Sequence, residues 1–556
     1  MSTSLSNSPV RVVPLGGLGE VGKNMMAVEH GSDIVVIDAG ILFPKEDMPG
    51  VDLVLPDTTY LRERKERVRA ILITHGHEDH VGALPYVLRD LNVPVYAPPL
   101  ARDLIRVKLQ EHHSLRGHQL REVQPGDRVE LGSITAEFFQ VCHSIPDACG
   151  IALHTPQGVV IHTGDFKIDH TPVDGKKLDM QRLAELGQEG VLLLLSDSTY
   201  AEEAGYTPSE QVVGTALDHV IGDAPGRVLV ATFASLIARV QQVINAAVKH
   251  DRKVAVVGRS MVDNVRMAME NGYIKAPSGT VLPIKELGAL PPERQVVMMT
   301  GSQGEPTSAL VRIANRGHRE VSIQEGDTVV ISATAIPGNE TMVHRTIDNL
   351  NRQGARVLHP RIALVHVHGH ASQEELKTML NLVKPQYFVP IHGEYRMLVA
   401  HAALARAVGI RAEDIFVLED GDVLELTPDA AAVVEHVEAG HIYVDGLRQY
   451  DMRSVVLRDR RVLAREGFVV VLVRLDRSTG RVMEEPEMVS SGFIDKDTQP
   501  EMVEEAMAMV HQELDRGANQ PMEWTYISTK VREVLATYLH RKTGRRPMVI
   551  PVPVEV

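Results

Sequence analysis

The chain has 556 residues, 44% of them hydrophobic, enough for several buried cores and two to four domains. Its formal charge of −15 argues against coating a polyanion by charge alone, so a nucleic-acid substrate would need a local positive channel. Two cysteines cannot staple so long a chain, "MSTSLSNSPVRV" lacks a signal-peptide core, and no run of about 18 apolar residues suggests a membrane span; a cytoplasmic protein without membrane contact is expected.

From Arg11 to about Ser198 the pattern is strand-rich. The apolar runs "DIVVIDAG", "RAILITHG", "GVVIHTGD" and "VLLLLSDS" each end in a polar residue of the ligating type. That is the layout of a site assembled at strand ends, with loops carrying the chemistry. "GGLGEVG" contains Gly17-x-Gly19-x-x-Gly22, and Asp38 closes a later strand, a superficial match to a dinucleotide fingerprint. "KNMMAVEHGSD" reads as a strand and a turn, so the helix that would cradle a pyrophosphate is missing.

From about Tyr206 to Pro360 strands alternate with helices: "GRVLVATFAS", "LIARVQQVINAAVKH", "KVAVVGRSM", "QVVMMTGSQGEP", "TVVISATAIPGNE". This alternation predicts a parallel α/β domain. "RIALVHVHGHAS" and "KPQYFVPIHGEY" read as further strands ending in histidines, with a helix between them. The first domain therefore resumes, and the α/β segment is an insertion. In the tail, "FVVVLVRLDRSTGRVM" predicts a hairpin, followed by helices over about 499–516 and 526–541 and a closing strand "MVIPVPVEV". The expected partition is 1–205 and 361–429 as one split domain, 206–360 as its insertion, 430–459 as a linker, and 460–556 as a small α+β domain.

The chemistry is concentrated in "ITHGHEDHVGAL". It sets His75, His77, Asp79 and His80 directly after a buried strand. One isolated H-x-H would be a solvated turn; H-x-H-x-D-H in this position reads as a metal site. Imidazoles and carboxylates without thiolate suit Zn²⁺ or Mn²⁺, and an excess of ligands over four suits two ions. His143 in "VCHSIPD", Asp165 in "HTGDF" and His392 in "VPIHGEY" complete two shells, with Asp165 able to bridge. Asp38 is expected to orient a ligand or the nucleophilic water. His112, His113, His154, His162 and His170 read as structural or exposed. Two such metals suit phosphoester hydrolysis, and the same geometry opens lactams and thioesters.

H-x-H-x-D-H with His143, Asp165 and a distant histidine resembles the metallo-β-lactamase αββα sandwich, and the inserted α/β domain resembles that of the β-CASP nucleases. "PLGGLGEVGKNM", "TGSQGEP", "AIPGNE", "HGHASQEEL" and "PIHGEYRM" are similar to the sequence blocks of bacterial ribonuclease J, over most of the chain. The resemblance implies a zinc- or manganese-dependent enzyme that degrades single-stranded RNA from a 5′-monophosphate end, with internal cutting as well. It implies metal ligation by His75, His77, Asp79, His80, His143, Asp165 and His392, the β-CASP acidic role for Asp197, and leaving-group protonation by His370. It also implies substrate contacts from Phe233, Ala234 and Ser235 and from His366, Val367, His368, Gly369 and His370. The family pattern has Ser where this chain has His368. A homodimer or homotetramer and a helicase partner are expected.

Arg259, Arg312, Arg316, and the clusters over 62–69 and 541–546 could supply positive charge, although the first reads as a solvated helix face because its acids alternate with its bases. Asp47, Asp52 and Asp445 could hold a structural Ca²⁺. The rivals are a β-CASP DNA nuclease, a small-molecule hydrolase and a metal-free scaffold. A whole inserted domain argues against the second, and the intact ligand set argues against the third.

Overall fold

The computed structural model describes residues 8–44, 48–112, 119–305, 307–335, 339–446, 448–451, 455–476, 482–494, 499–515 and 524–556. Met1–Phe43 with Leu53–Ile442 form one compact unit, and Pro44–Asp52 with Tyr443–Val556 a second.

In the first unit two mixed sheets pack face to face. The eight-stranded sheet runs Ala431–His436, Asp422–Leu426, Val10–Gly16, Met25–His30, Asp33–Ile37, Val68–Leu72, Val95–Ala97, Leu120–Glu122. The six-stranded sheet runs Tyr387–Ile391, Val191–Asp197, Gly158–His162, Cys149–Thr155, Ile134–Gln140, Arg128–Leu131. Between them Val35, Ile37 and Leu72 meet Phe138, Leu153 and Leu195. On the other face of the six-stranded sheet, Ile161, Leu194 and Phe388 pack on the helices Met180–Glu189, Gln373–Val383 and Tyr395–Ala407. Strands buried on both faces read as unbroken apolar runs, and that is why they are legible. The helix Pro99–Glu111 lies against the far edge of the eight-stranded sheet and closes the αββα arrangement.

Val191–Asp197 and Tyr387–Ile391 are parallel neighbours, with Leu193 opposite Tyr387 and Asp197 opposite Ile391. Between them the chain builds a separate sheet of five parallel strands: Lys253–Val257, Gln295–Met299, Val228–Ala231, Thr328–Ile331, Arg356–Leu358. The insertion thus leaves and re-enters beside the same strand ends. Buried Arg239, on the insertion's helix Ile237–Lys249, ties the two together. Its Nη2 donates to Glu210 Oε2 (2.7 Å), its Nε to Gln242 Oε1 (2.8 Å), and its Nη1 to Val365 O (2.9 Å) and to the Ser332 hydroxyl.

The stretch "RIALVHVHGHAS", expected as a strand, is irregular over 361–371. Val365 and Val367 are buried while Ile362 and Leu364 are exposed, an alternation like that of a strand. Side chains take the place of a sheet neighbour: Arg239 and the Ser332 hydroxyl both donate to Val365 O. Ala431–His436, expected within the linker, is instead an edge strand paired antiparallel with Asp422–Leu426. Its side chains are mostly exposed and carry no core-facing pattern; backbone pairing, with the His436–Asp422 contact at 3.0 Å, holds it.

The second unit carries a three-stranded sheet in the order Glu487–Ser491, Phe468–Leu475, Met548–Glu555. Helices Pro500–Asp515 and Trp524–Thr543, close to expectation, cover one face, with Val510, Ile527 and Leu535 on Val469, Val471 and Val473. The antiparallel partner of Phe468–Leu475 is Glu487–Ser491; at the anticipated hairpin position the described residues show the bridge Leu475 to Val482. Among the described residues no helix is long and apolar enough to cross a membrane.

Candidate metal centre

The strand ends converge. Asp38 follows Asp33–Ile37, the segment His75–His80 follows Val68–Leu72, and His143 follows Ile134–Gln140. Asp165 follows Gly158–His162, Asp197 closes Val191–Asp197, and His392 follows Tyr387–Ile391. Asp38 (φ 61°) and His392 (φ 53°) are in the left-handed region that non-glycine residues rarely enter. Surrounding bonds hold them there: Asp38 N–H donates to Leu72 O at 2.8 Å, and His392 O accepts from Ser198 N–H at 3.3 Å. A Cβ at Gly40 would lie 1.5 Å from Asp79 O, so only glycine lets the Asp38 loop lie against the turn that carries Asp79 and His80.

Asp165 is central. Its Oδ2 lies 3.6 Å from His75 Nε2, 3.3 Å from His80 Nε2 and 3.7 Å from His143 Nε2, and its Oδ1 lies 3.0 Å from His392 Nδ1. Two groups that could hold a metal ion share it: His75, His77, His143 with Asp165, and Asp79, His80, His392 with Asp165. A third group joins Asp165 and His392 to Asp197 and His370.

Three of the inward-facing imidazoles are fixed from behind. His75 Nδ1–H donates to Thr74 Oγ1 (3.0 Å), and that hydroxyl donates to Asp38 Oδ2 (2.8 Å). His80 Nδ1–H donates to Asp38 Oδ2 (2.8 Å), and His143 Nδ1–H to Gly369 O (2.7 Å). Holding Nδ1 in this way turns Nε2 towards the centre, as outer partners do around metal-ligating histidines.

Burial holds His75 and His143 well below the usual imidazole range and His77 at about 4, so these rings are neutral at pH 7, the ligating form. Burial opposes ionisation of Asp165 and Asp79, but the facing His392 and His80 outweigh it and keep both carboxyls well below their ordinary range. Burial likewise opposes charge on His80 and His392, and Asp165 outweighs it, raising both. The donors fit divalent zinc or manganese. His392 Nε2 is buried without a hydrogen-bond partner, 3.4 Å from Asp79 Oδ2, His75 Nε2 faces His77 Nδ1 at 3.0 Å, and among the described residues no cysteine joins a ligand group.

Beside this centre His370 Nδ1–H donates to Asp197 Oδ2 at 2.8 Å. Burial would lower the His370 pKa; the charge and hydrogen bond of Asp197 raise it instead. Asp197 Oδ1 accepts from Thr199 N–H (3.0 Å) and Thr199 Oγ1–H (2.8 Å).

Family models match the chain in consecutive segments: the metallo-beta-lactamase superfamily over 18–223, the ribonuclease J beta-CASP domain over 225–350, the Zn-dependent metallo-hydrolase RNA specificity domain over 357–417, and the ribonuclease J C-terminal domain over 455–556. Ribonuclease J 1 of Streptococcus pyogenes is 44% identical over 99% of this chain and 98% of its own length. This chain belongs to the ribonuclease J family. Ribonuclease J2 of Bacillus subtilis is 41% identical over 98% of this chain and 99% of its own length. Ribonuclease J of Thermus thermophilus is 43% identical over 98% of this chain and 95% of its own. A solved protein of unknown function from Enterococcus faecalis V583 shares the fold, with a TM-score of 0.53 and 15% identity over 75% of this chain and all of its own.

The ribonuclease J resemblance pointed to two further stretches. In the stretch 366–370, Gly369 and His370 lie at the centre: a Cβ on Gly369 would lie 2.6 Å from the His143 ring, so glycine permits the close approach, and His370 groups with Asp165, Asp197 and His392. Val367 packs in the core shared with the insertion, and His368 stacks on Tyr200. Phe233, Ala234 and Ser235 are half-buried at the carboxyl end of Val228–Ala231, ahead of the helix that carries Arg239, with Ala234 O accepting from Asn264 Nδ2. His162 is buried behind Asp38, its Nδ1 accepting from Gly164 N–H, and burial pushes it down to about 4. His154 pairs with Glu137, and His113 lies outside the described residues. Cys142 and Cys149 are free thiols that burial pushes up to about 12.

Of the calcium candidates, Asp47 lies outside the described residues. Asp52 Oδ2 accepts from Gly446 N–H at 2.7 Å, and Asp445 pairs with the Arg460 guanidinium. A cationic side chain thus lies beside Asp445, and among the described residues neither acid joins a ligand group. In the first basic cluster Arg67 pairs with Glu29 and Arg69 with Asp33, as a structural face would. Sequence reasoning passed over Thr74, Thr199 and Tyr200. Their signal is adjacency: each stands within three residues of a candidate ligand or acid.

Proposed function

We propose that this chain is a metal-dependent ribonuclease that degrades single-stranded RNA 5′ to 3′ from 5′-monophosphate ends and also cuts internally. The observation that carries the reading is the pair of ligand groups joined at Asp165, with the His370–Asp197 pair beside them, in a chain of the ribonuclease J family. Two ions, Zn²⁺ or Mn²⁺, are the proposed cofactor. His75, His77, His143 and Asp165 hold one, and Asp79, His80, His392 and Asp165 the other. Such a pair acidifies water and neutralises charge on a reacting phosphate.

The side chains do the rest. Asp38, through Thr74 and His80, keeps ligand nitrogens turned inward. Water gives up a proton to solvent as its oxygen adds to phosphorus and the P–O3′ bond breaks, and His370, oriented by Asp197, delivers a proton from Nε2 to the departing 3′-oxygen. The remaining chain keeps a 5′-phosphate, so each cut regenerates the end selected for the next. Phe233, Ala234 and Ser235 with the segment 366–370 contact the terminal nucleotide and phosphate, and stacking with backbone contacts gives sequence-tolerant single-strand binding.

The partition into a split first domain, with Ala431–His436 as its edge strand, an insertion, a linker and a tail domain belongs to the same proposal, as do cytoplasmic location and self-association, the last supported by exposed Val489, Ile550 and Val554 on the tail sheet. The test uses metal-depleted protein resupplied with Mn²⁺ or Zn²⁺ and one body-labelled RNA bearing a 5′-monophosphate or a 5′-triphosphate. Faster release of mononucleotides from the monophosphate form is expected, the triphosphate form yielding them only after an internal cut. Cleavage of neither RNA by protein carrying two ions, or equal cleavage of a matched DNA, would overturn the reading.

A further inference from the structure

The turn that delivers His370 is held by an unusual set of contacts. Its carbonyls are taken by side chains: Gly369 O by His143 Nδ1–H at 2.7 Å, and His370 O by Thr207 Oγ1–H at 2.8 Å and by His368 Nδ1–H at 2.9 Å. The His368 ring thus folds back to brace the backbone of the residue that carries the acid. A carbonyl can only accept, so His368 carries its proton on Nδ1. Burial pushes its pKa down to about 3, leaving a neutral ring.

A neutral imidazole tethered by one hydrogen bond can still pivot about that bond. What stops it is Tyr200. The two rings are parallel within 6°, with centroids 3.6 Å apart, and the Tyr200 ring is also within 18° of the His370 plane at 5.8 Å. Stacking at this separation leaves the His368 ring no room to turn about that bond. Among the described residues the Tyr200 hydroxyl makes no hydrogen bond, and burial raises its pKa, so the ring carries the interaction. Tyr200 lies three residues beyond Asp197 on the same chain segment, where Thr199 fixes the Asp197 carboxylate at 2.8 Å. One strand end therefore grips the turn twice, at the His370 ring through Asp197 and at the His368 ring through Tyr200.

We propose that Tyr200 is a positioning residue for the leaving-group acid: by stacking on His368 it fixes the turn that aims His370 Nε2 at the departing 3′-oxygen. This rests on the ribonuclease reading above and names a determinant of its proton-transfer step. Misplacement by about 1 Å at such a step costs on the order of 10²-fold.

The test compares single-turnover cleavage of a normal RNA with one whose scissile linkage has a 3′-bridging sulfur, since a thiolate leaves without a proton. Tyr200→Leu is expected to lose about 10- to 100-fold on the normal linkage, with unchanged KM and metal content, and to approach wild type on the sulfur linkage. Tyr200→Phe, which keeps the ring, should restore the normal rate. In a His368→Ala background Tyr200→Leu should cost nothing more. An equal defect on both linkages, additive losses in the double variant, or failure of Phe to restore the rate each overturns the proposal. His370→Ala separates the two ideas. If sulfur rescues His370→Ala but not Tyr200→Leu, only the Tyr200 role falls; if sulfur rescues neither, the leaving-group reading falls and the Tyr200 role with it.

Discussion

Replacing Asp197 by Asn keeps the volume and one carbonyl oxygen but removes the charge that faces His370 Nδ1 at 2.8 Å. Two unit charges about 4 Å apart at an effective dielectric of about 20 attract by about 4 kcal/mol, which sets the order of magnitude of what the carboxylate contributes to holding the proton. Each 1.4 kcal/mol or so is tenfold in rate, so Asp197→Asn is expected to lower kcat by about 10²–10³ at neutral pH, within the range of general acid catalysis. The sign follows from the His370 shift: burial lowers its pKa, and Asp197 more than reverses this. The acid is competent below its raised pKa and is lost as pH rises through it. Without the carboxylate that loss must begin at lower pH. The assay is single-turnover kcat against pH, with metal content measured in parallel because Asp197 Oδ1 is also 3.4 Å from His392 Nδ1. A fall in kcat with the alkaline limb unmoved, or one matched by lost metal, would refute the reasoning.

Asp38→Asn removes the charged acceptor for His80 Nδ1–H and the Thr74 hydroxyl; metal affinity should fall by about 10- to 100-fold, read by chelator competition, with activity returning at excess metal. Arg239→Met leaves the Glu210 carboxylate buried without its 2.7 Å partner, which should destabilise the first unit by about 3–5 kcal/mol, read as an earlier midpoint in urea unfolding.

The parts of this fold that were legible in the sequence share a cause. Strands such as Val191–Asp197 and Asp33–Ile37 are buried on both faces, so solvent exclusion writes them as apolar runs. The parallel strands of the insertion alternate with amphipathic helices for the same reason. The segments misjudged are those that side chains hold. The 361–371 segment has the alternation of a strand, yet Arg239 and Ser332 satisfy its Val365 carbonyl from two other elements. No local pattern encodes a partner more than 30 residues away.

The candidate site divides along the same line. The sequence by itself determined the donor chemistry, because H-x-H-x-D-H after a buried strand places imidazoles and a carboxylate where a loop must emerge, and it marked the other strand-end acids and histidines as candidates. Only the tertiary structure decided which of them meet and in what state. Asp165 becomes the shared centre because strands far apart in sequence end side by side. His75 is neutral while His80 favours its proton because burial and the facing carboxylates differ between them. Tyr200 gains a role because the chain leaves for the insertion and returns beside the same strand end, bringing residues 200 and 368 into contact. Composition and periodicity record what each residue avoids or prefers, whereas contact across the fold depends on the path of the chain between them.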